Sequence, residues 1–184
     1  MKALQRSLSG LGRLDMAAYE SIARRPSPRL DGIMRGVSRA ADYSKLSLSS
    51  AGVLAIGGGP RGRAAAIGGL ASLAVTATIV NVAIKPLTRR RRPDRGRASV
   101  PFVRHVDMPG SRSFPSGHTA AAFAFAAGAG RELPRAAPPL LGVATLVGYS
   151  RIHTGVHFPG DVIAGALCGI ALAKATGRWL DQRM

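Results

Sequence analysis

Long apolar runs alternate with short, basic connections along most of the chain. Five such runs occupy residues 46–59, 64–84, 119–130, 139–149 and 162–175. A helix needs about 20 apolar residues to cross the hydrocarbon core of a bilayer, and only the second run has that length unaided. The first can extend back toward residue 40, the third can start at residue 116, and the fifth can run to residue 180. The pattern predicts an all-α, multi-pass transmembrane helical bundle with about five to six spans.

The first 45 residues have a different pattern. Within residues 11–22, apolar side chains recur at helical spacing, at Leu11, Leu14, Ala18 and Ile22. Pro26 and Pro28 end this helix, and a second is expected to begin near Ser27 with one apolar face formed by Leu30, Ile33, Met34 and Val37. We therefore predict two amphipathic, interfacial helices in residues 1–45, followed by a membrane domain in residues 46–184. The N-terminus lacks the compact apolar core and cleavage site of a secretory signal, so an internal segment is expected to direct insertion.

The composition agrees with a membrane bundle. Ala, Gly, Leu and Val dominate and aromatic residues make up only 5%, and small residues let membrane helices approach closely. The single Cys168 lies in an apolar run and supports neither a disulfide framework nor a thiolate metal site.

A net charge of +17 indicates an anionic partner. Nucleic acid, an anionic membrane surface and a phosphorylated substrate would each fit this charge. Nucleic acid is disfavoured because no zinc-finger, KH or RNP1 pattern is present and aromatics that could stack on bases are scarce. The expected partners are membrane lipids and a phosphorylated substrate.

Three basic and histidine clusters lie between Lys85 and Asp161. They read KPLTRRRRP from Lys85, PSGH from Pro115 and SRIHTGVHFPGD from Ser150. Written as KxxxxxxRP, PSGH and SRxxxxxHxxxD, they resemble the three-part signature of the type 2 phosphatidic acid phosphatase (PAP2) superfamily, which includes bacterial acid phosphatases and vanadium haloperoxidases. All eleven fixed positions are matched over about 77 residues. The resemblance implies a membrane lipid phosphatase that works through a phosphohistidine.

His157 is the expected nucleophile. A neutral imidazole can attack phosphorus and divide one difficult displacement into two easier ones. Asp161 follows four residues later, beyond Pro159 at the start of a helix, where it could accept the proton on the other ring nitrogen. An isolated H-x-x-x-D would more often be a structural helix cap, and the other two clusters favour catalysis here.

His118 is the expected general acid, which would protonate the leaving oxygen and then activate water. Because PSGH opens an apolar run, the N–H groups of Ser116, Gly117 and His118 should point out of a helix N-terminus toward a phosphate oxygen. Gly117 would let the backbone approach closely, and Ser116 would add a hydroxyl donor.

Lys85, Arg92 and Arg151 would hold the charged phosphoryl oxygens in the transition state. Arg92 is assigned to the site only through the family resemblance. Arg89, Arg90 and Arg91 are interpreted as a charge cluster flanking a membrane helix, and His153 as a packing or polar neighbour.

No metal or other cofactor is expected. The chain has only nine acidic residues, and those near the clusters, Asp94, Asp107 and Asp161, do not group as a two-metal site requires. The Gly-rich stretch at residues 57–63 also lacks the Lys-Ser/Thr end of a Walker A motif.

Two alternatives to a lipid phosphatase belong to other functional classes. A vanadium haloperoxidase would use the same histidine to bind vanadate, but those relatives are soluble and much larger. A non-catalytic protein that binds anionic lipids through its charge would not require the matched spacing of His and Asp.

The Ala-, Gly- and Arg-rich composition is typical of a high-GC bacterium, so we expect a multi-pass protein of a bacterial plasma membrane. Phosphatidic acid, phosphatidylglycerol phosphate and polyprenyl phosphates, including decaprenyl-phosphoryl-pentose phosphate, remain possible substrates.

The orientation in the membrane is left open by two conflicting arguments. Most of the 26 Lys and Arg residues fall on the side of the three clusters, which the positive-inside rule would place in the cytoplasm. Bacterial relatives of the resembled family mostly place the site outside, and we expect the same here.

Overall fold

In the computed structural model, which describes residues 2–182, every regular element is a helix. The longer helices are α1 (Lys2–Ala23), α2 (Pro28–Ala40), α3 (Lys45–Gly57), α4 (Gly59–Leu87), α5 (Gly117–Glu132), α6 (Ala137–His153) and α7 (Pro159–Asp181). Short 3₁₀ turns occupy Asp42–Ser44, Phe102–Arg104 and Pro134–Ala136. The predicted all-α class is confirmed, and each of the five apolar runs forms a helix.

Two of these helices meet the requirements of a membrane span. The helix α4 has 29 residues and α7 has 23, with mean hydropathies of 1.9 and 1.3 over their most apolar windows. The predicted extension of the fifth run to residue 180 is confirmed. The extension of the first run toward residue 40 is wrong, because Tyr43 and Ser44 adopt left-handed backbone conformations with φ of 57° and separate α3 from α2. A total of five to six spans stays a prediction.

The helices α4 and α5 form the centre of the bundle. The helix α4 packs against α3, α5 and α7, and α5 also packs against α6 and α7. A Cβ atom on Gly128 of α5 would lie 2.6 Å from the carbonyl oxygen of Gly68 in α4, and one on Gly165 of α7 would lie 2.6 Å from that of Ser116. Because these backbones nearly touch, only glycine fits, as the abundance of small residues predicts.

The N-terminal helices pack on α6, and α1 also contacts α7. The buried face of α2 contains Asp31, Met34 and Ser38, whereas Ile33 of the predicted apolar face is 59% exposed. The face that α2 turns to the bundle is thus partly polar. The predicted interfacial location of the first 45 residues stays a prediction.

A buried polar network explains this packing. The carboxylate of Asp31 accepts a hydrogen bond from Arg104 Nε at 2.7 Å and lies 2.8 Å from His153 Nε2. Arg104 is fully buried, and its Nη1 donates to the carbonyl oxygens of Ile22 and Ala23 at 3.1 Å each. These bonds satisfy carbonyls that the end of α1 leaves open. The network joins α1 and α2 to α6 and to the long loop after α4, and it gives His153 the polar-neighbour role that was expected.

The ends of four helices meet at one end of the bundle. The helices α4 and α6 end there and α5 and α7 begin there, and residues 88–116 fold over it. The N–H of Ser116 donates to the carbonyl oxygen of Asp161 at 2.9 Å, which ties the starts of α5 and α7 together. Thr88 Oγ1 donates to the carbonyl oxygen of Phe114 at 2.9 Å and closes the loop on itself. All three motifs therefore come together at this end.

Candidate active site

His157 and Asp161 lie side by side, as their spacing predicts. Asp161 is in the first turn of α7, and its Oδ2 lies 3.4 Å from His157 Nδ1. The same oxygen accepts hydrogen bonds from the Ser113 hydroxyl at 2.5 Å and from the N–H of Phe158 at 3.0 Å. The His157 and Asp161 side chains are fully buried. Asp161 is thus held in place on the Nδ1 side of the ring.

The other ring nitrogen of His157 faces Arg92. Arg92 Nη1 lies 3.0 Å from His157 Nε2 and also donates to the carbonyl oxygen of Val156 at 3.1 Å. Because a guanidinium group has only donors, Nε2 must carry the lone pair and Nδ1 the proton. Burial lowers the pKa of His157 to about 4, although the contact with Asp161 opposes this effect. The ring is therefore neutral at pH 7, which is the form that can attack phosphorus.

Ser111 joins Arg92 to Lys85. Arg92 Nε donates to the backbone carbonyl of Ser111 at 3.0 Å and its Nη2 to the Ser111 hydroxyl at 3.2 Å, while Lys85 Nζ donates to the same hydroxyl at 3.3 Å. Burial lowers the pKa of Arg92 to about 10, so its guanidinium stays charged at neutral pH. The two cations of the first motif are thereby held around one loop serine, a residue outside the three motifs.

The start of α5 faces Lys85. A Cβ atom on Gly117 would lie 3.1 Å from Lys85 Nζ and 3.4 Å from Asn81 Oδ1. As the first residues of α5, Gly117 and His118 have backbone N–H groups that the helix itself does not use. An anion between this helix terminus and Lys85 would meet both the N–H donors and the ammonium group.

The N–H of Ser116 was expected to point at a phosphate oxygen, and the structure corrects this expectation. Its N–H is already bonded to Asp161, and its hydroxyl lies 2.9 Å from Thr119 Oγ1. The side chain is fully buried. Ser116 thus joins α5 to α7 through its N–H, and the phosphate contact of its hydroxyl stays a prediction.

Arg151 is buried and is held from the N-terminal part of the chain. Its Nη1 donates to the hydroxyl and carbonyl oxygens of Ser38 at 2.5 and 3.2 Å, and its Nη2 donates to Asp42 Oδ1 at 3.1 Å. The same Asp42 oxygen lies 3.2 Å from His118 Nε2. The Nε of Arg151 is buried without a partner among the described residues.

A cavity of about 250 Å³ opens at this end of the bundle. Four predicted site residues line it, namely Lys85, Arg92, Gly117 and His118. Its remaining wall consists of Tyr43, Ser44, Ala77, Asn81, Pro109, Ser111 and Ala121. His157, Arg151 and Asp161 lie behind this lining. The cavity is thus cationic at one end, and along α4 it continues past Asn81 to the apolar Ala77.

Arg90 has a larger role than the sequence indicated. Its Nη1 lies 3.0 Å from Asp161 Oδ1, and it also pairs with Asp15 of α1. Asp161 Oδ1 has no aligned hydrogen bond among the described residues, so its contact with Arg90 is a charge contact. Asp15 in turn accepts a hydrogen bond from the N–H of Gly160 at 2.7 Å. Arg90 and Asp15 therefore hold the start of α7 beside His157.

Comparison with known proteins relates the chain to one superfamily. A family model described as the PAP2 superfamily matches residues 66–184. The decaprenylphosphoryl-5-phosphoribose phosphatase of Mycobacterium tuberculosis is 37% identical over 113 residues, which are 59% of this chain and 56% of that protein. The chain thus aligns with little more than half of this relative. The protein of the same name from Mycolicibacterium smegmatis is 32% identical over 161 residues, 82% of this chain and 78% of the relative.

A solved structure shares the fold. The transmembrane PAP2-type phosphatidylglycerolphosphate phosphatase from Bacillus subtilis superposes with a TM-score of 0.70 at 24% identity. The match covers 94% of this chain and 87% of the solved chain. The structural match therefore includes most of the N-terminal helices, which precede the part matched by the family model.

Proposed function

The chain belongs to the PAP2 superfamily, and we propose that it hydrolyses the phosphate group of a membrane lipid phosphate or diphosphate through a phosphohistidine on His157. One observation carries the proposal: His157 Nε2 holds its lone pair beside Arg92, while Asp161 stands on the Nδ1 side of the neutral ring. This is the arrangement of a nucleophile with an orienting carboxylate.

The first step transfers the phosphoryl group to the protein. His157 Nε2 attacks phosphorus and forms a P–N bond while the bond to the lipid oxygen breaks. His118, at the cavity wall, gives its proton to the departing oxygen. Lys85, Arg92 and the first N–H groups of α5 hold the phosphoryl oxygens, and Arg151 contributes its free Nε.

The second step releases phosphate. A water molecule occupies the place of the departed lipid alcohol, and His118, now neutral, takes a proton from it. The oxygen attacks phosphorus, the P–N bond breaks, and His157 regains its neutral form. The positive ring of the intermediate is stabilised by Asp161, whose charge Arg90 and Ser113 keep in position.

We propose that no metal takes part, because the cations around the cavity supply the charge stabilisation that a metal would provide. The two spans of sufficient length support a location in a bacterial plasma membrane. There, the substrate's apolar chain would stay in the bilayer while its headgroup enters the cationic end of the cavity.

The phosphorylated pentose of a decaprenyl lipid is our first substrate candidate, because two relatives carry that activity in their names. Phosphatidylglycerol phosphate is the second, since the Bacillus subtilis protein of the same fold is named for it. Phosphate release should be measured from these two lipids, phosphatidic acid and undecaprenyl diphosphate, with purified protein and a His157→Ala control. Release from at least one lipid by the unchanged protein alone is expected. Release from none of the four lipids contradicts the proposal.

A further inference from the structure

Asp42 reaches the candidate active site from outside the part of the chain that the family model matches, which begins at residue 66. Its Oδ1 lies 3.2 Å from His118 Nε2 and 3.1 Å from Arg151 Nη2. The side chain is 36% exposed, so water can reach the group. Neither the motifs nor the family match assigns this residue a role.

The backbone around Asp42 is fixed in an uncommon conformation. The next two residues, Tyr43 and Ser44, both have φ of 57°, and a left-handed conformation costs about 1–2 kcal/mol for a residue other than glycine. Two such residues in succession persist only where the surrounding fold determines them. Arg151 supplies one such constraint, because it binds Ser38 and Asp42 on either side of the end of α2.

The contact determines which nitrogen of His118 exchanges a proton. Asp42 Oδ1 makes a charge contact with His118 Nε2 at 3.2 Å, without an aligned hydrogen bond, and because a carboxylate only accepts hydrogen bonds it favours hydrogen on this nitrogen. Nδ1 is then the nitrogen that can donate to a leaving oxygen when protonated and accept from water when neutral. When both nitrogens carry protons, the negative charge of Asp42 stabilises the ring.

We infer that Asp42 is a positioning residue that sets the tautomer and orientation of His118. This inference rests on the proposed function. The site then contains two His–Asp pairs with matching roles, His157 with Asp161 for the nucleophile and His118 with Asp42 for the acid and base. The first pair comes from one motif, and the second joins the PSGH motif to the turn between α2 and α3. Contacts of this kind are often loose without substrate and tighten in the reacting complex.

The opposing interpretation is that Asp42 serves only as a counter-ion of Arg151. The two roles of Asp42 predict a different dependence of kcat/KM on the leaving group of the substrate. A lipid alkoxide is a strong base and needs a proton from His118, whereas p-nitrophenolate leaves without one. A residue that acts through His118 therefore affects the first substrate far more than the second, and a residue that acts through phosphate binding affects both alike.

The test compares kcat/KM of Asp42→Asn for a lipid phosphate and for p-nitrophenyl phosphate. The substitution keeps the shape and removes the charge, and Asp107→Asn is the matched control in an exposed loop position. We expect kcat/KM to fall about 10²-fold with the lipid, the low end of the range for acid–base catalysis, and less than about threefold with the nitrophenyl ester. Equal losses with both substrates overturn the inference.

A double-mutant cycle gives a second readout. Because Asp42 is proposed to act only through His118, Asp42→Asn should cost nothing further in a His118→Ala background. A further loss overturns the inference. If Asp42→Asn is unfolded by thermal melting, Asp42→Glu, which keeps the charge, must retain the wild-type ratio of the two substrates, and a changed ratio overturns the inference. Wild-type protein that hydrolyses neither substrate overturns the proposed function and the inference together, whereas normal wild-type turnover with equal losses overturns only the role of Asp42.

Discussion

Arg92 Nη1 and His157 Nε2 are 3.0 Å apart, so the nitrogen proposed to attack phosphorus accepts a hydrogen bond from a guanidinium group. Arg92 is held there by the carbonyl oxygens of Val156 and Ser111. A phosphate that binds this guanidinium is therefore brought directly to the lone pair of Nε2.

Arg92→Lys should lower kcat/KM by about 10²-fold. Lysine keeps the charge but cannot reach Ser111, Val156 and a phosphate together, because it lacks the planar fork of arginine. Arg91→Lys is the matched control, since Arg91 is exposed and should retain nearly normal kinetics. Steady-state rates with a lipid phosphate check both variants, and equal behaviour of the two would remove Arg92 from the site.

His157→Ala and His118→Ala should each leave a folded protein that has lost nearly all turnover. The nucleophile is required for the first step, and general acid–base catalysis contributes about 10²- to 10⁴-fold. An acid-labile phosphoenzyme should be trapped from labelled substrate with the unchanged protein and be absent from His157→Ala. Near-normal activity of either variant would contradict its assignment.

Much of the site could be predicted because its parts are local in sequence. His157 and Asp161 are four residues apart across the start of a helix, so the short intervening chain keeps their side chains close to one another. The family resemblance likewise pointed to Lys85, Arg92, Gly117 and His118, and these four residues line one cavity.

The parts that escaped prediction depend on the tertiary fold. Asp42 is 109 residues from its partner Arg151, and Ser113 is 48 residues from its partner Asp161. Asp42 and Ser113 both lie outside the three motifs. The prediction of a free N–H at Ser116 was wrong for the same reason, because its bond to the carbonyl oxygen of Asp161 depends on how α7 packs against α5. The helix α2 was predicted to have one apolar face, and periodicity does not reveal a distant cation such as Arg104, which buries Asp31 beside Met34.

Gly117→Ala should weaken phosphate binding. The added methyl group would lie 3.1 Å from Lys85 Nζ, close to the place where the helix terminus and the ammonium group meet. We expect a higher KM for lipid phosphate and a higher inhibition constant for inorganic phosphate, each by about tenfold or more. Gly110→Ala is a suitable control, because a Cβ atom there meets nothing within 4 Å. Unchanged phosphate inhibition in Gly117→Ala would show that phosphate binds elsewhere.

Orthovanadate should inhibit the protein, whereas EDTA should leave its activity intact. Vanadate can adopt the five-coordinate shape of the phosphoryl transition state on His157, within the charge supplied by Lys85, Arg92 and Arg151. The measurement is phosphate release with each reagent, followed by addition of Mg²⁺. Complete loss with EDTA and recovery with Mg²⁺ would indicate a metal-dependent mechanism.

The orientation of the site can be decided by cysteine labelling at position 102. Phe102 is 86% exposed in the loop over the active-site end, whereas the neighbouring Arg104 is fully buried in the Asp31 network and cannot be replaced without breaking it. Several cations at this end, including Arg90, make specific contacts in the fold. The excess of cations at the active-site end is therefore explained without the positive-inside rule, and we expect the site to face outward.

Phe102→Cys on a Cys168→Ala background should react with a membrane-impermeant thiol reagent in intact cells. Arg135→Cys is the reciprocal control, because Arg135 is exposed in the turn at the opposite end of the bundle and should be protected until the cells are lysed. The reverse pattern would place the active site in the cytoplasm, where the positive-inside rule alone would put it. Since phosphate leaves on the side that the cavity faces, the outcome also decides on which side of the membrane the product is released.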